Sequence, residues 1–183
     1  MTKRAFIIHC WDGKPNILWY PWLKNELEKR GFEVNVPTMP NTAHPRMNAW
    51  VNHLKKIVGT PSKDCYFVGH SIGCITILRY LETIDKKVGG VILVAGYTTD
   101  LGYEDLMSFF AKPIDWKEVN ANCGKFVAIH SDNDPYVSLH YGTDIFKGKI
   151  NADLIIEHSM GHFDNVTKLP SALKSVLKLS NTK

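Results

Sequence analysis

Several features that would argue against an ordinary globular enzyme or binding protein are absent from the sequence. No apolar run approaches the roughly 20 residues that a membrane-spanning helix needs. The apolar stretch near the N-terminus, residues 5–8, is too short for the core of a signal peptide. No segment repeats, and no linker divides the chain. These absences favour a single domain over residues 1–183, with no membrane span and a cytoplasmic location.

Clustered charge and paired cysteines are also absent. The net charge is only +4 and the lysines are scattered, which argues against nucleic acid as a partner. The four cysteines show no C-x-x-C spacing, and a chain of 183 residues can bury on the order of 70% of its unfolded surface without disulfides. We therefore expect reduced thiols, as in a cytoplasmic protein.

Short apolar blocks alternate with segments of helical periodicity along the whole chain. This alternation predicts an α/β fold, with about six mostly parallel strands and helices on both faces of the sheet. Asn16 is predicted to cap the first helix. The predicted strands cover residues 4–9, 33–36, 66–70, 88–95, 125–130 and 154–158, and the main helices cover residues 17–30, 46–58, 72–84 and 169–179.

The connection between the fourth and fifth predicted strands, residues 98–124, is unusually long. It carries several large apolar side chains. One interpretation is two short helices that cover the sheet. The other is an apolar roof over a site, forming part of an acyl pocket. The sequence favours neither.

The most informative motif is Gly69-His70-Ser71-Ile72-Gly73, which follows an apolar strand and opens a helical pattern. In this context G-x-S-x-G predicts a nucleophile elbow, a turn so tight that side chains two residues from the serine must be absent. Ser71 would adopt a strained backbone conformation at the amino end of the helix. There the N–H of Ile72 would face a developing oxyanion. The alternative is a glycine-bounded loop with an ordinary serine.

A serine nucleophile needs an imidazole base, and the imidazole needs a carboxylate to orient it. In a parallel sheet these partners come from the carboxyl ends of the strands. His162, after the sixth predicted strand, is the predicted base. Asp132 and Asp134 follow the fifth strand. Asp134 is favoured because, with Pro135 and Val137, it resembles the D-x-x-V turn that usually carries the acid in α/β-hydrolases. The order Ser, Asp, His is that of α/β-hydrolases.

The second oxyanion donor is expected in the loop after the first strand, where the backbone N–H of Trp11 is the candidate. Trp11 could equally be a packing residue that covers the sheet edge.

Metal binding is not expected. His158 and His162 have H-x-x-x-H spacing, but Gly161 interrupts any helix that would aim both rings at one ion, and no acidic residue lies between them. No cofactor is predicted.

Taken together, these motifs resemble the small, lid-less α/β-hydrolase-fold serine hydrolases of the retinoblastoma-binding-protein 9 type. The resemblance implies a Ser71–Asp134–His162 triad in a compact cytosolic hydrolase without a cap domain. Cys10 departs from the pattern, because hydrolases of this fold commonly have glycine there, and a side chain would restrict the oxyanion loop. The resemblance is carried by residues 5–9, 21–23, 39–41, 69–74 and 91–94, the Asp134 turn and residues 161–163.

We therefore predict a serine hydrolase that cleaves small to medium carboxylic esters through an acyl-enzyme intermediate. Its partner would be a small-molecule ester or other acyl compound, with thioesters and amides left open. The alternative is a protein-binding module that keeps the hydrolase scaffold while its chemistry is idle. The Cys10 departure and the mild charge motivate that alternative, and its protein partner is unknown.

Overall fold

A computed structural model describes residues 2–182, and its strands form one sheet. Every neighbouring pair of strands is parallel. The strands are β1 (Arg4–Ile8), β2 (Glu33–Asn35), β3 (Cys65–His70), β4 (Gly90–Val94), β5 (Phe126–Ser131) and β6 (Asp153–Glu157). Their order across the sheet is β2-β1-β3-β4-β5-β6. The predicted six-stranded architecture is confirmed, and the sheet is wholly rather than mostly parallel.

Helices follow the strands and lie on both faces of the sheet. A 3₁₀ turn covers Glu104–Leu106 and a π-helical turn covers Tyr141–Phe146. The α-helices are α1 (Tyr20–Glu28), α2 (Met47–Val58), α3 (Ile72–Leu81), α4 (Met107–Phe110), α5 (Trp116–Asn122), α6 (Lys147–Ile150) and α7 (Pro170–Ser180).

Among residues 2–182, no helix combines the length and apolar character required to cross a membrane.

Two hydrophobic cores lie on opposite faces of the sheet. Because side chains alternate along a strand, Ala5 and Ile7 of β1 face one core while Phe6 and Ile8 face the other. Helices α1 and α7 cover the first core, and helices α2 to α6 cover the second. Each large apolar side chain buried in this way contributes roughly 1.5–3 kcal/mol.

The start of α1 differs from the prediction. The helix begins at Tyr20 rather than at residue 17, and Asn16 does not cap it. Leu18 has a φ of 57°, a left-handed conformation that cannot continue a helix towards the N-terminus. Pro21 then supplies the fixed φ that suits a first helical turn. Gly31, with a φ of 82°, lies three residues beyond the end of the helix at Glu28.

Helix α3 is buried along its whole length between the sheet and its neighbours. Its one charged side chain, Arg79, is buried too, and it is satisfied by hydrogen bonds to the carbonyl oxygens of Phe109, Lys112 and Pro113 and to the Glu82 carboxylate. The central helix therefore ties down the long connection between β4 and β5.

Candidate active site

Ser71 occupies the turn between β3 and α3, with φ 57° and ψ −119°. This conformation costs a non-glycine residue roughly 1–3 kcal/mol. It is stabilised by the Ser71 N–H, which donates to the carbonyl of Val94 on β4 at 2.9 Å. The strained turn expected of an elbow is thus present at Ser71.

The two glycines of the motif are required for steric reasons. A Cβ on Gly73 would lie 2.2 Å from the carbonyl oxygen of Ile8, and a Cβ on Gly69 would lie 2.6 Å from the backbone nitrogen of Cys74. Real Cβ atoms do not approach backbone this closely. Only glycine lets α3 start against the end of β1.

Ser71, His162 and Asp134, far apart in sequence, are connected by hydrogen bonds. Ser71 Oγ lies 2.9 Å from His162 Nε2, and His162 Nδ1 lies 2.8 Å from Asp134 Oδ2. A carboxylate only accepts, so Nδ1 carries the proton and Nε2 is free to accept from the serine hydroxyl. The side chains of His162 and Asp134 are 11% and 1% exposed, so solvent barely competes.

Asp134 is held as a carboxylate. Burial by itself would raise its pKa, but the hydrogen bond and charge of His162 and the N–H groups of Tyr136 and Val137 outweigh burial and leave the pKa below its usual value. Those two N–H groups donate to Asp134 Oδ1 at 2.9 and 3.0 Å. The stability that this carboxylate provides is present above the pKa of an unfolded aspartate and lost as the pH falls through the depressed value.

The other candidate acid, Asp132, makes no hydrogen bond to Ser71 or His162 within residues 2–182. Its carboxylate accepts from His158 Nδ1 at 2.6 Å and from the Ser159 N–H at 2.9 Å. From the loop after β5, Asp132 therefore holds the start of the loop that precedes His162.

Two neighbours of Asp132 fasten the same loop. Asn133 Oδ1 accepts from the Gly161 N–H at 2.8 Å, and Ser131 Oγ accepts from the Met160 N–H at 3.0 Å. The loop after β5 thus holds the backbone that leads into His162.

The loop after β1 orients the Cys10–Trp11 peptide. The Cys10 carbonyl accepts from Gly13 N–H at 3.1 Å and lies 2.7 Å from His9 Nδ1. In a trans peptide the C=O and the following N–H point in opposite directions, so the Trp11 N–H points away from these groups. It donates no hydrogen bond within residues 2–182, and neither does the N–H of Ile72 at the start of α3.

The Trp11 side chain also packs, as the alternative interpretation expected. Its indole N–H donates to the Ala43 carbonyl at 2.9 Å, and its ring meets Tyr103 edge-on at 5.5 Å. Packing of the side chain leaves the backbone N–H free, so the two interpretations of Trp11 are compatible.

A cavity of about 280 Å³ opens beside Ser71 and His162. Leu101, Tyr103 and Leu106 from the long connection line it, while Phe109 of the same connection is fully buried in the core. This segment therefore covers the sheet and roofs the cavity at once. The remaining lining residues are Cys10, Trp11, Tyr97, Tyr136, Val137 and Asp164.

His158 and His162, which have H-x-x-x-H spacing, bond to different partners. His158 bonds to Asp132, whereas His162 bonds to Ser71 and Asp134. Within the described part of the chain, no three side chains of histidine, cysteine, aspartate or glutamate come together in a way that could hold a metal ion.

Sequence reasoning missed two tyrosines at this site. Tyr97 follows β4 and lines the cavity, and the Tyr136 ring stands edge-on to His162 with the ring centroids 5.3 Å apart. The same rule that selected Asp134 and His162, residues at the carboxyl ends of parallel strands, would have found both.

A parallel sheet with a serine on a strained strand-to-helix turn, and an acid and a histidine after later strands, defines the α/β-hydrolase fold. The chain belongs to the Serine hydrolase family, whose model matches residues 5–175.

Two relatives and a solved structure support the same family assignment. The chain is 32% identical to YdeN of Bacillus subtilis (strain 168) over 176 residues, 93% of this chain and 92% of YdeN. It is 30% identical to the serine hydrolase RBBP9 of Rattus norvegicus over 164 residues, 87% of this chain and 86% of the relative. The crystal structure of the B. subtilis ydeN gene product matches with a TM-score of 0.92 and 29% identity, covering 99% of this chain and 100% of that one. The predicted resemblance is confirmed, and the protein is a hydrolase.

The elbow gives a prediction about stability. Gly73→Ala forces a Cβ against the Ile8 carbonyl, and we expect it to lower the free energy of unfolding by about 3 kcal/mol or more in urea titrations. Gly148→Ala is the matched control, because nothing lies within 4 Å of its Cβ and alanine favours the helix there. Equal stability of the two variants would contradict the steric account.

The carboxylates give a second prediction. Asp134→Asn replaces the acceptor of the His162 Nδ1 proton and should lower kcat by about 10³- to 10⁴-fold, as loss of the orienting acid does in other serine hydrolases. Asp132→Asn keeps an oxygen for the Ser159 N–H and should lower kcat less than about tenfold. The measurement is steady-state hydrolysis of p-nitrophenyl acetate, and the reverse ranking would show that Asp132 is the acid.

Proposed function

We propose that the protein hydrolyses small to medium carboxylic esters, with Ser71 as nucleophile, His162 as general base and acid, and Asp134 as the residue that orients His162. The observation that carries the proposal is the continuous hydrogen bonding from Ser71 Oγ through His162 to Asp134, at 2.9 and 2.8 Å, beside a cavity open to a ligand. Family membership supports the general chemistry.

In the acylation half, Ser71 Oγ attacks the ester carbonyl carbon while its proton moves to His162 Nε2. The carbonyl oxygen becomes an oxyanion, and the unused N–H groups of Ile72 and Trp11 donate to it. As the tetrahedral intermediate collapses, the bond to the leaving alkoxide oxygen breaks and His162 returns the proton to it. The alcohol departs and the acyl group stays on Ser71.

Deacylation repeats these steps with water in place of Ser71. His162 Nε2 takes a proton from the water as it attacks the acyl carbon, and the same N–H groups hold the second oxyanion. The carboxylic acid is released when Ser71 Oγ leaves and recovers its proton from His162. No cofactor enters either half.

The cavity supports a substrate of limited size. Its lining is mainly apolar and aromatic, with Leu101, Leu106 and Val137 beside the tyrosines, which suits an acyl chain or a small aryl group. At about 280 Å³ it accommodates a short chain better than a long one.

The backbone around Cys10 bears on the alternative of an idle scaffold, because the side chain at this position is one of the two motives for it. The Cys10 carbonyl accepts hydrogen bonds from within the loop, and the Cys10 N–H lies 3.2 Å from Tyr20 Oη. This ordered backbone supports the catalytic proposal.

The nucleophile is tested with a fluorophosphonate probe, which labels a serine activated by a neighbouring base. We expect mass spectrometry of the labelled wild type to find one adduct, on Ser71, and none on Ser71→Ala. Ser175→Ala should label like the wild type, because the Ser175 hydroxyl bonds to the Ser171 carbonyl within α7, away from the cavity. A folded wild type without an adduct would contradict the proposal.

The acyl pocket is tested with p-nitrophenyl esters of increasing chain length. Each methylene that the cavity accepts should raise kcat/KM about fourfold, the equivalent of about 0.8 kcal/mol, until the cavity is full. Leu101→Ala should move the optimum to a longer chain, whereas Leu177→Ala, on the opposite face of the sheet, should not. An optimum that both variants leave in place would exclude the roof from the pocket.

A further inference from the structure

Three hydrogen bonds link the loop after β1 to the residue proposed as the base. The Cys10 N–H lies 3.2 Å from Tyr20 Oη, and Tyr20 Oη lies 2.6 Å from His70 Nδ1. His70 Nε2 in turn lies 2.7 Å from the carbonyl oxygen of His162. Tyr20 is the first residue of α1 and His70 the last of β3, so two core elements connect the two loops.

The direction of every bond in this chain is fixed by its ends. A backbone N–H can only donate, and a carbonyl oxygen can only accept. His70 Nε2–H therefore donates to His162, His70 Nδ1 accepts the Tyr20 hydroxyl proton, and Tyr20 Oη accepts from Cys10. One tautomer of His70 and one orientation of the hydroxyl satisfy all four groups.

The chain lies in the interior. Tyr20 and His70 are 0% exposed, and Trp19 packs beside the imidazole with ring centroids 5.6 Å apart. Hydrogen bonds are stronger in such surroundings, and a missing partner costs more than it does at the surface.

His70 must also stay neutral for the proposed chemistry. Its ring centroid is 5.3 Å from that of His162, and a cation there would oppose the imidazolium that forms on His162 during proton transfer. Burial, with the nearby His162 as a lesser cause, lowers the pKa of His70 to about 3. The ring therefore remains an uncharged donor and acceptor at neutral pH.

We propose that Tyr20 and His70 are positioning residues that fix the Cys10 N–H, in the peptide directly before the Cys10–Trp11 peptide, relative to the backbone of His162. This inference rests on the proposed function, because it gives the Trp11 N–H and the His162 ring their roles. Because the hydrogen-bonded chain ends on the Cys10 N–H and the His162 carbonyl, it sets the separation between the backbone next to the oxyanion donor and the backbone that carries the base. Misplacement of such groups by an ångström lowers the rate of the chemical step more than it weakens substrate binding.

Tyr20→Phe removes one hydroxyl and keeps the aromatic packing. We expect kcat for p-nitrophenyl acetate to fall about tenfold, the equivalent of one hydrogen bond, while KM changes less than twofold. Affinity for a trifluoromethyl ketone, which forms a tetrahedral oxyanion on the serine, should fall by the same factor as kcat/KM. The matched control is Tyr80→Phe, because the Tyr80 hydroxyl is buried without a hydrogen-bond partner among residues 2–182.

A second pair of variants separates positioning from general damage. His70→Gln keeps an N–H donor and an oxygen acceptor, whereas His70→Leu keeps neither. We expect the glutamine variant to retain at least about tenfold more kcat than the leucine variant, compared at temperatures where urea titrations show both to be folded.

The outcomes distinguish this inference from the proposed function. Suppose that the wild type takes the fluorophosphonate label on Ser71. If Tyr20→Phe then keeps kcat within twofold, or changes KM alone, the positioning role is wrong and the hydrolase mechanism stands. Equal kcat for His70→Gln and His70→Leu would overturn it as well. A folded wild type that takes no label would contradict both the proposed function and the positioning role.

Discussion

The site depends on how closely α3 approaches the end of β1. Because Gly73 has no side chain, the first turn of the helix rests against the Ile8 carbonyl. The chain leaving β1 passes directly into the loop of Cys10 and Trp11, so this one contact brings that loop and the Ser71 turn to the same cavity. The contact between α3 and β1 is a backbone-to-backbone fit that only glycine allows.

The other half of the site is supplied by the loops after β5 and β6, the last two strands in the order across the sheet. The loop after β5 provides the Asp134 carboxylate and, through Ser131, Asp132 and Asn133, the acceptors that hold the loop after β6. His162 therefore reaches Ser71 from a backbone that is already fixed. Polar groups arranged before the substrate arrives need no reorganisation during the reaction, which is where much of an enzyme's rate advantage lies.

Sequence predicted the features that are local or repeated along the chain. Alternating periodicity gave the parallel sheet, and the spacing of Gly69, Ser71 and Gly73 gave the turn. The turn motif favoured Asp134 over Asp132, but both follow β5, and only the fold shows which carboxylate meets His162. The bond between Tyr20 and His70 spans 50 positions and matches no spacing rule, so it could be found only in three dimensions.

The central claim is that an acyl group passes through Ser71. The direct measurement is mass spectrometry of the protein after rapid mixing with p-nitrophenyl acetate and acid quench, with peptide mapping of the adduct. We expect one acetyl group on Ser71 within the first turnover, formed in step with a burst of p-nitrophenol and absent from His162→Ala. Steady hydrolysis with no acetyl group on Ser71 at any quench time, or with the acetyl group on another residue, would contradict it.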